Sequence, residues 1–398
     1  MKMKKPTAND FLADILFLGI LLAYMLYYLP EKSQLHGFCL TPYFLRYSDF
    51  GFISRGLIGS ILGIFYPYLS ADTAAAFIFI SQILLCIFTV VFLRMVRKRA
   101  DACTRTGILF LSFVFAVNPG SVAFLFYWGN YGRFDLYMIA AAIFCCMIAA
   151  GSQGGRYMGA CLCICTATLM IHQGFIFSYF PCILSAVYMN LEENGKKKSS
   201  LILLFLCCSA VFLALQFGGK INGFSLQETI ETVGRHTDYP VSNTNMLELE
   251  YFTPVLNFIP VYVLPPLKKN LVKCALTIIL LLPVEIMIGS IWRDFIKKTK
   301  RIYILIPLFI IAATLPKFII TCDYGRDFSS ILISQFLVIF TVFAMGNMGM
   351  KEAVAEFQAR LKKHWPLFLA GAAELALVGK FQAANILEIT EKIVSEWL

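Results

Sequence analysis

The sequence predicts an all-α fold, a polytopic transmembrane helical bundle of about ten or eleven spans with interfacial helices in its first outer loop. Three observations predict it. Of the 398 residues, 59% are hydrophobic and 15% charged, against roughly 25% charged in an ordinary globular protein. Several apolar stretches reach the ~20 residues a helix needs to cross the hydrocarbon core. The lysines and arginines gather mostly in short loops between those stretches, where orientation signals lie.

Lys2, Lys4 and Lys5 place the N-terminus in the cytoplasm. The apolar run behind them is too long for a signal peptide and no small-residue cleavage site follows, so 11–29 reads as a retained first span. The outer loop 30–72 ends in "GFISRGLIGSILGIFYPYLS", apolar but broken by glycine and proline, which suits helices lying at the interface. Spans are then expected at 73–95, 106–118, 135–150, 157–171, 174–190 and 200–217, with "RMVRKRADACTR", "GSQGGR" and "EENGKKKSS" on the cytoplasmic side.

Between Lys196–Lys198 and "KKTKR" at 297–301 the number of crossings must be even, yet three apolar candidates lie there. The run at 251–267 carries Pro254, Pro260, Pro265 and Pro266. Lipid cannot replace the backbone hydrogen bonds those prolines remove. The outer loop therefore spans 218–270 with 251–267 dipping into the interface, and further spans follow at 271–292, 302–320 and 328–346. Residues 1–346 form the bundle; 347–398 add a cytoplasmic amphipathic helix, "KEAVAEFQARLKKHW", and a candidate last span at 366–382 that contains Glu374.

The net charge of +10 does not indicate nucleic-acid binding, because the cations sit in the short loops. Most of the thirteen cysteines lie inside spans, among them Cys145, Cys146, Cys161, Cys163, Cys165, Cys207 and Cys208. None forms a CxxC pair or a zinc-type Cys/His cluster, so they read as small apolar residues. Cys39 and Cys322 both fall outside and are candidates for a disulfide. No Walker, GxSxG, HExxH or Rossmann signature appears, and no cofactor or metal is expected.

The polar residues at the outer boundary carry the functional signal, because a cation at membrane depth is costly unless paired or facing a cavity. "YFLRYSDFGFISRGLIG" holds Asp49 between Arg46 and Arg55. Asp49 reads either as the partner of Arg55 in an interfacial ion pair or as a general base with Arg55 as an anion contact. Ser54 is expected to cap the following helix, and the glycines to let backbone approach a ligand. "YWGNYGRFD" adds Tyr127 and Trp128, placed like nearby Tyr137 as belt aromatics, with Arg133 and Asp135 entering a span. "IHQGFIFSYFP" adds His172 and Gln173, and "CDYGRDFSS" adds Asp323, Tyr324, Arg326 and Asp327, the last read as a helix cap. "GRHTDYPVSNTN", 234–245, reads as a solvated connector or a mobile cover over an acceptor. Asp49, Arg55, Arg133, Asp135, His172, Asp323 and Arg326 are expected to meet in one outer cavity. Arginine forks there would hold phosphate oxygens and an aspartate would take a proton from an attacking hydroxyl.

In layout and motifs the chain resembles the GT-C superfamily of membrane glycosyltransferases and bacterial surface-polysaccharide polymerases of the O-antigen or capsule type. The resemblance rests on the first span, the long outer loop with Asp49 and interfacial helices, the "IHQGFIFSYFP" stretch and the Asp-x-x-Arg of "CDYGRDFS". It extends in layout over most of 1–346, with Gln173 where such proteins carry glutamate. It implies an inverting transferase in a bacterial cytoplasmic membrane, using an undecaprenyl-linked saccharide donor without a metal. The implied partners are a polyprenyl-linked saccharide, membrane lipid and other polysaccharide-assembly proteins. Two other functions compete: a lipid-linked saccharide flippase and a non-catalytic envelope assembly protein.

Overall fold

A computed structural model describes residues 8–31, 34–152, 157–241, 245–253, 267–320 and 324–378. The described fold is all-α. Its fourteen helices of nine residues or more are α1 (Ala8–Tyr27), α2 (Gly56–Phe65), α3 (Ala71–Arg97), α4 (Arg105–Val117), α5 (Asp135–Gly151), α6 (Tyr157–Ile171), α7 (Phe180–Glu193), α8 (Ser199–Gly218), α9 (Leu226–Gly234), α10 (Leu267–Lys298), α11 (Leu305–Ile320), α12 (Tyr324–Met345), α13 (Met348–Lys363) and α14 (Trp365–Val378). Among the described residues, six helical stretches are long and apolar enough to cross a membrane: 71–97, 105–126, 199–218, 274–298, 301–320 and 324–345. Five shorter apolar helices accompany them, at 11–27, 56–65, 135–151, 157–171 and 365–376. The protein is an integral multi-pass membrane protein.

Burial sorts these helices. The apolar window of α12 is 83% buried and that of α8 only 17%. The α12 run "SSILISQFLVIFTVFA" is apolar or small on every side, the pattern of a helix surrounded by others. It packs against α3, α5, α7, α10 and α11, and Phe336 and Phe340 interlock with Phe115 of α4. In contrast, α8 turns Ile202, Leu203, Phe205, Leu206 and Leu213 outward, and α10 does so with Ile278, Ile279, Leu282 and Ile286. An apolar surface of that extent belongs against lipid.

A second apolar core lies over one end of the bundle. Leu40, Tyr43, Phe44, Leu45, Ile53, Ile58 and Leu62 of the first loop pack with Ile221, Val233, Val241, Met246, Leu247 and Tyr251. These two segments thus fold as one cap. Short helical turns at Gly37–Leu40, Thr41–Phe44 and Tyr47–Phe50 precede α2, in keeping with a loop built of small helices. The glycines of α2 serve this packing rather than a ligand. A Cβ on Gly59 would come within 2.1 Å of the Leu45 carbonyl oxygen, and one on Gly56 within 2.5 Å of the Tyr47 ring. The glycine face is where α2 presses onto the chain at 43–47.

Several elements depart from expectation. Helix α10 runs from Leu267 to Lys298 rather than over 271–292, so its 32 residues reach about 48 Å at 1.5 Å per residue. Near its C-terminal end Arg360 Nη1 meets Asp294 Oδ2 at 2.5 Å. Tyr127 and Tyr137 are not belt residues. Tyr127 is buried against Tyr28, and the Tyr137 hydroxyl meets that of Tyr43 at 3.1 Å. The polar stretch from 234 is docked, not solvated. Asp238 Oδ1 accepts from the Ala71 amide at 2.7 Å, Tyr239 donates to the Leu35 carbonyl, and its ring stacks on Phe44. Cys145, Cys146, Cys161, Cys165 and Cys208 are buried thiols, while Cys163 is exposed and Cys207 half-buried. The Cys39–Cys322 pairing and most of 251–267 lie outside the described residues.

The helix ends separate two faces. Helices α3, α7 and α12 finish near Arg97, Glu193 and Asn347, and there Arg94 and Arg97 meet Asp14, Lys198 and Lys300 meet Glu192, and Asn347 donates to Glu193. Helix α13 lies at this lysine-rich end. Its Met350, Ala353, Val354, Phe357 and Leu361 are buried on one face, as its amphipathic pattern predicts. The opposite ends of α3 and α12 meet the cap, through Ala71 with Asp238 and through Arg326 beside Phe38 and Pro42.

Candidate functional site

Beneath the cap, five separate stretches of chain converge on one small cavity. Phe38, Cys39 and Pro42 come from the first loop, Arg55 from the turn before α2, Arg133, Phe134 and Asp135 from the start of α5, His172 from the end of α6, and Arg326 from the first turn of α12. The open space is ≈ 20 Å³, room for about one water molecule.

Local structure explains each placement. Asp135 opens α5 in its first turn, where a carboxylate complements the helix dipole. It is 1% exposed and receives Arg326 Nε at 2.8 Å. Arg55 has φ 61°, the left-handed region, and among the described residues it is the one non-glycine with positive φ. That conformation costs roughly 1–3 kcal/mol and persists only where the surroundings enforce it. Here the surroundings include Glu250, whose carboxylate meets Arg55 Nη2 at 3.0 Å and accepts from Ser54 Oγ at 3.1 Å and from Gln173 Nε2. Ser54 therefore holds Glu250 and does not cap α2, whose N-cap position is Arg55. The Tyr251 hydroxyl donates to the Ser54 carbonyl, and Lys220 donates to the Glu250 carbonyl.

His172 is 8% exposed. Burial, reinforced by Arg55, Arg326, Lys317 and Arg133, holds its pKa well below that of an ordinary histidine, so the ring is neutral. Its Nδ1 accepts the Gly174 amide at 2.9 Å. Arg326 Nη2 lies 2.9 Å from Nε2, the other ring nitrogen. Arg55 Nε and Gln173 Oε1 are buried without a hydrogen-bond partner.

Behind the cavity a buried ion pair joins two helices. Lys317 of α11 meets Asp327 of α12 at 2.5 Å and donates to Ser178 Oγ at 2.9 Å. Asp327 is completely buried, so it is an internal counter-ion rather than a surface cap.

Of the residues expected to meet, Arg55, Arg133, Asp135, His172 and Arg326 line the cavity. Asp49 does not. It is half-buried in the first loop and faces His236 Nε2 at 3.0 Å, because Arg55 is turned to Glu250 instead. Arg46 is also elsewhere: its Nη2 donates to the carbonyls of Tyr66 at 3.0 Å and Pro67 at 2.9 Å, stapling the end of α2. Gln173 sits one step behind the wall on Glu250, and Tyr324 is buried with its ring stacked on Phe318. Asp323 lies outside the described residues. Sequence reasoning missed Glu250 as a participant. The signal for Glu250 was "LELEYF", two acids immediately before a proline-rich apolar run in a chain with 24 acidic residues in all. Among the described residues, no three His, Cys, Asp or Glu side chains gather as a metal ion would require.

Comparison with protein-family models, curated proteins and solved structures finds no match to this chain.

Proposed function

We propose that the protein is a membrane glycosyltransferase that uses a polyprenyl-phosphate-linked saccharide at the outer face of the membrane, in polymerising or modifying a surface polysaccharide. The observation that carries this reading is the meeting of Arg55, Arg133 and Arg326 with neutral His172 in one cavity at the bundle end remote from the lysine-rich loops. Three guanidinium groups form a donor set for phosphate oxygens, with charge-assisted bonds that strengthen as the phosphate departs.

The cavity in its present form admits only a water, so phosphate binding exchanges partners. Arg326 turns part of its fork from Asp135, and Arg55 from Glu250, toward the incoming anion. The lipid chain leaves sideways between helices. The acceptor hydroxyl loses its proton to a carboxylate. Asp323, three positions before Arg326 in the sequence, is the first candidate. Asp49, held by His236 outside the cavity lining, ranks behind it.

The test is transfer from a labelled polyprenyl-linked sugar by the purified protein in vesicles. Arg326→Lys keeps the charge but loses the planar fork. Its transfer is expected to fall about 10–100-fold, the worth of one charge-assisted bond of roughly 1.5–3 kcal/mol. Asp323→Asn is expected to lose transfer while retaining donor binding. Undiminished transfer in both variants overturns the reading. A flippase would instead move labelled donor across the vesicle wall without forming product.

A further inference from the structure

At the lysine-rich end a large apolar groove opens sideways between α7, α8 and the start of α11. It is lined by Leu184, Tyr188, Leu201, Phe205, Leu305 and Phe309 among others, and encloses ≈ 510 Å³. Helices α8 and α11 are the least buried of the long apolar helices, so the groove faces the surrounding lipid. Its wall from Ile302 to Phe309 runs roughly 10 Å along the helix axis, within the ~15 Å of one leaflet's hydrocarbon.

The mouth of the groove is basic. Lys198 stands three residues before Leu201, and Lys300 and Arg301 immediately before Ile302. Both lysines converge on a single carboxylate: Glu192 receives Lys198 Nζ at 2.9 Å and Lys300 Nζ at 2.6 Å. Lys198 Nζ also lies 4.5 Å above the Tyr188 ring, which lines the groove. Lys198, Lys300 and Arg301 against Glu192 and Glu193 leave a net positive charge at the rim. An apolar slot with a cationic rim, opening at one face of the bilayer, matches an amphiphile with a hydrocarbon chain and an anionic head.

We infer that this groove is a binding site for one acyl chain of an anionic phospholipid, its phosphate held at the Lys198–Lys300 rim. The chain alone gives no selectivity, since lipid tails are as apolar as the groove. The rim discriminates, because a zwitterionic lipid presents no net negative charge to it. The site is separate from the cavity under the cap and does not depend on the proposed transferase activity.

Native mass spectrometry of the full-length protein in detergent tests this, with equal amounts of phosphatidylglycerol and phosphatidylcholine of identical acyl chains. The wild type is expected to retain phosphatidylglycerol in about fivefold excess, the scale of one basic residue's attraction. Lys198→Gln with Lys300→Gln is expected to bring the ratio near one. Leu201→Trp fills the groove and is expected to remove the bound phosphatidylglycerol while the helical circular dichroism is kept. Should that variant misfold, Leu305→Trp, at a position 53% exposed, serves the same purpose. Equal retention of both lipids by the wild type, an unchanged preference in the lysine variant, or stronger displacement by a polyprenyl phosphate than by added phosphatidylglycerol would each overturn the assignment.

Discussion

Arg55 combines an unfavourable backbone with a mostly buried charge, and Glu250 offsets both. Removing the carboxylate strands the guanidinium, the costly half of a buried pair. Glu250→Ala is expected to lower stability by about 3 kcal/mol, measured by thermal unfolding in detergent, and Glu250→Gln by less, since the amide still accepts from Ser54. Burial alone pushes the Glu250 carboxyl up, but Arg55, Gln173 and Lys220 outweigh it and the net shift is downward. His172 gives a pH signature. Its folded pKa is depressed, so above about 6.5, its unfolded value, neither state holds the proton and stability is full. As pH falls below about 6.5 only the unfolded chain takes the proton, and stability declines by up to about 1.4 kcal/mol per pH unit until the folded pKa is reached. His172→Gln is expected to flatten that slope between about pH 6.5 and 5. A slope unaffected by the substitution would assign it to other groups. At this scale the sequence was partly legible. Arginines at the outer boundary had to be paired or functional, which pointed to Arg55, Arg133 and Arg326. Their partners were hidden, because Glu250 lies 195 positions after Arg55 and nothing in either segment names the other.

Between elements, the Lys317–Asp327 pair fastens α11 to α12 beside Ser178. Breaking one side leaves an uncompensated buried charge, at roughly 3–5 kcal/mol. Lys317→Met is therefore expected to be strongly destabilising, and Lys317→Met with Asp327→Leu much less so than the sum, a coupling that a double-mutant cycle in denaturant measures. Additive costs would show that the pair contributes nothing as a pair. Gly59→Ala tests a different contact. Its new methyl meets the Leu45 carbonyl oxygen at 2.1 Å, and overpacking of this kind costs about 1–3 kcal/mol, read as a lowered unfolding temperature. Helix existence was legible from apolar length alone. The role of the α2 glycines was not, because a glycine that admits a ligand and one that admits neighbouring backbone look identical in sequence. The docking of 234–241 was equally hidden, since Asp238 and Tyr239 are ordinary loop residues until Ala71 and Leu35 are brought beside them.

For the whole molecule, the outer-face reading requires the cap and the lysine-rich loops to lie on opposite sides of the membrane. Cys103 is exposed in the loop before α4, and Gln227 is exposed on α9 in the cap. A membrane-impermeant maleimide is expected to label a Gln227→Cys variant in intact cells and Cys103 only after permeabilisation. The reverse pattern would place the cavity in the cytoplasm and remove the basis for an outer-face donor. The bundle as a class was legible from composition because lipid solvation demands long apolar helices. Its inside-out order was less so: α12, the most enclosed long apolar helix, differs little in apolar character from α8, the least.

That central position of α12 has a consequence for biosynthesis. Helices α3, α5 and α7 surround it, yet the ribosome finishes α7 at Glu193 and does not complete α12 until Met345. At about 5–20 residues per second the early helices wait roughly 8–30 s in the bilayer before their central partner arrives. Asp135 and His172 are made before that interval and pass it without Arg326. A nascent chain that stalls before Tyr324 therefore lacks the guanidinium that meets the Asp135 carboxylate at 2.8 Å in the finished fold.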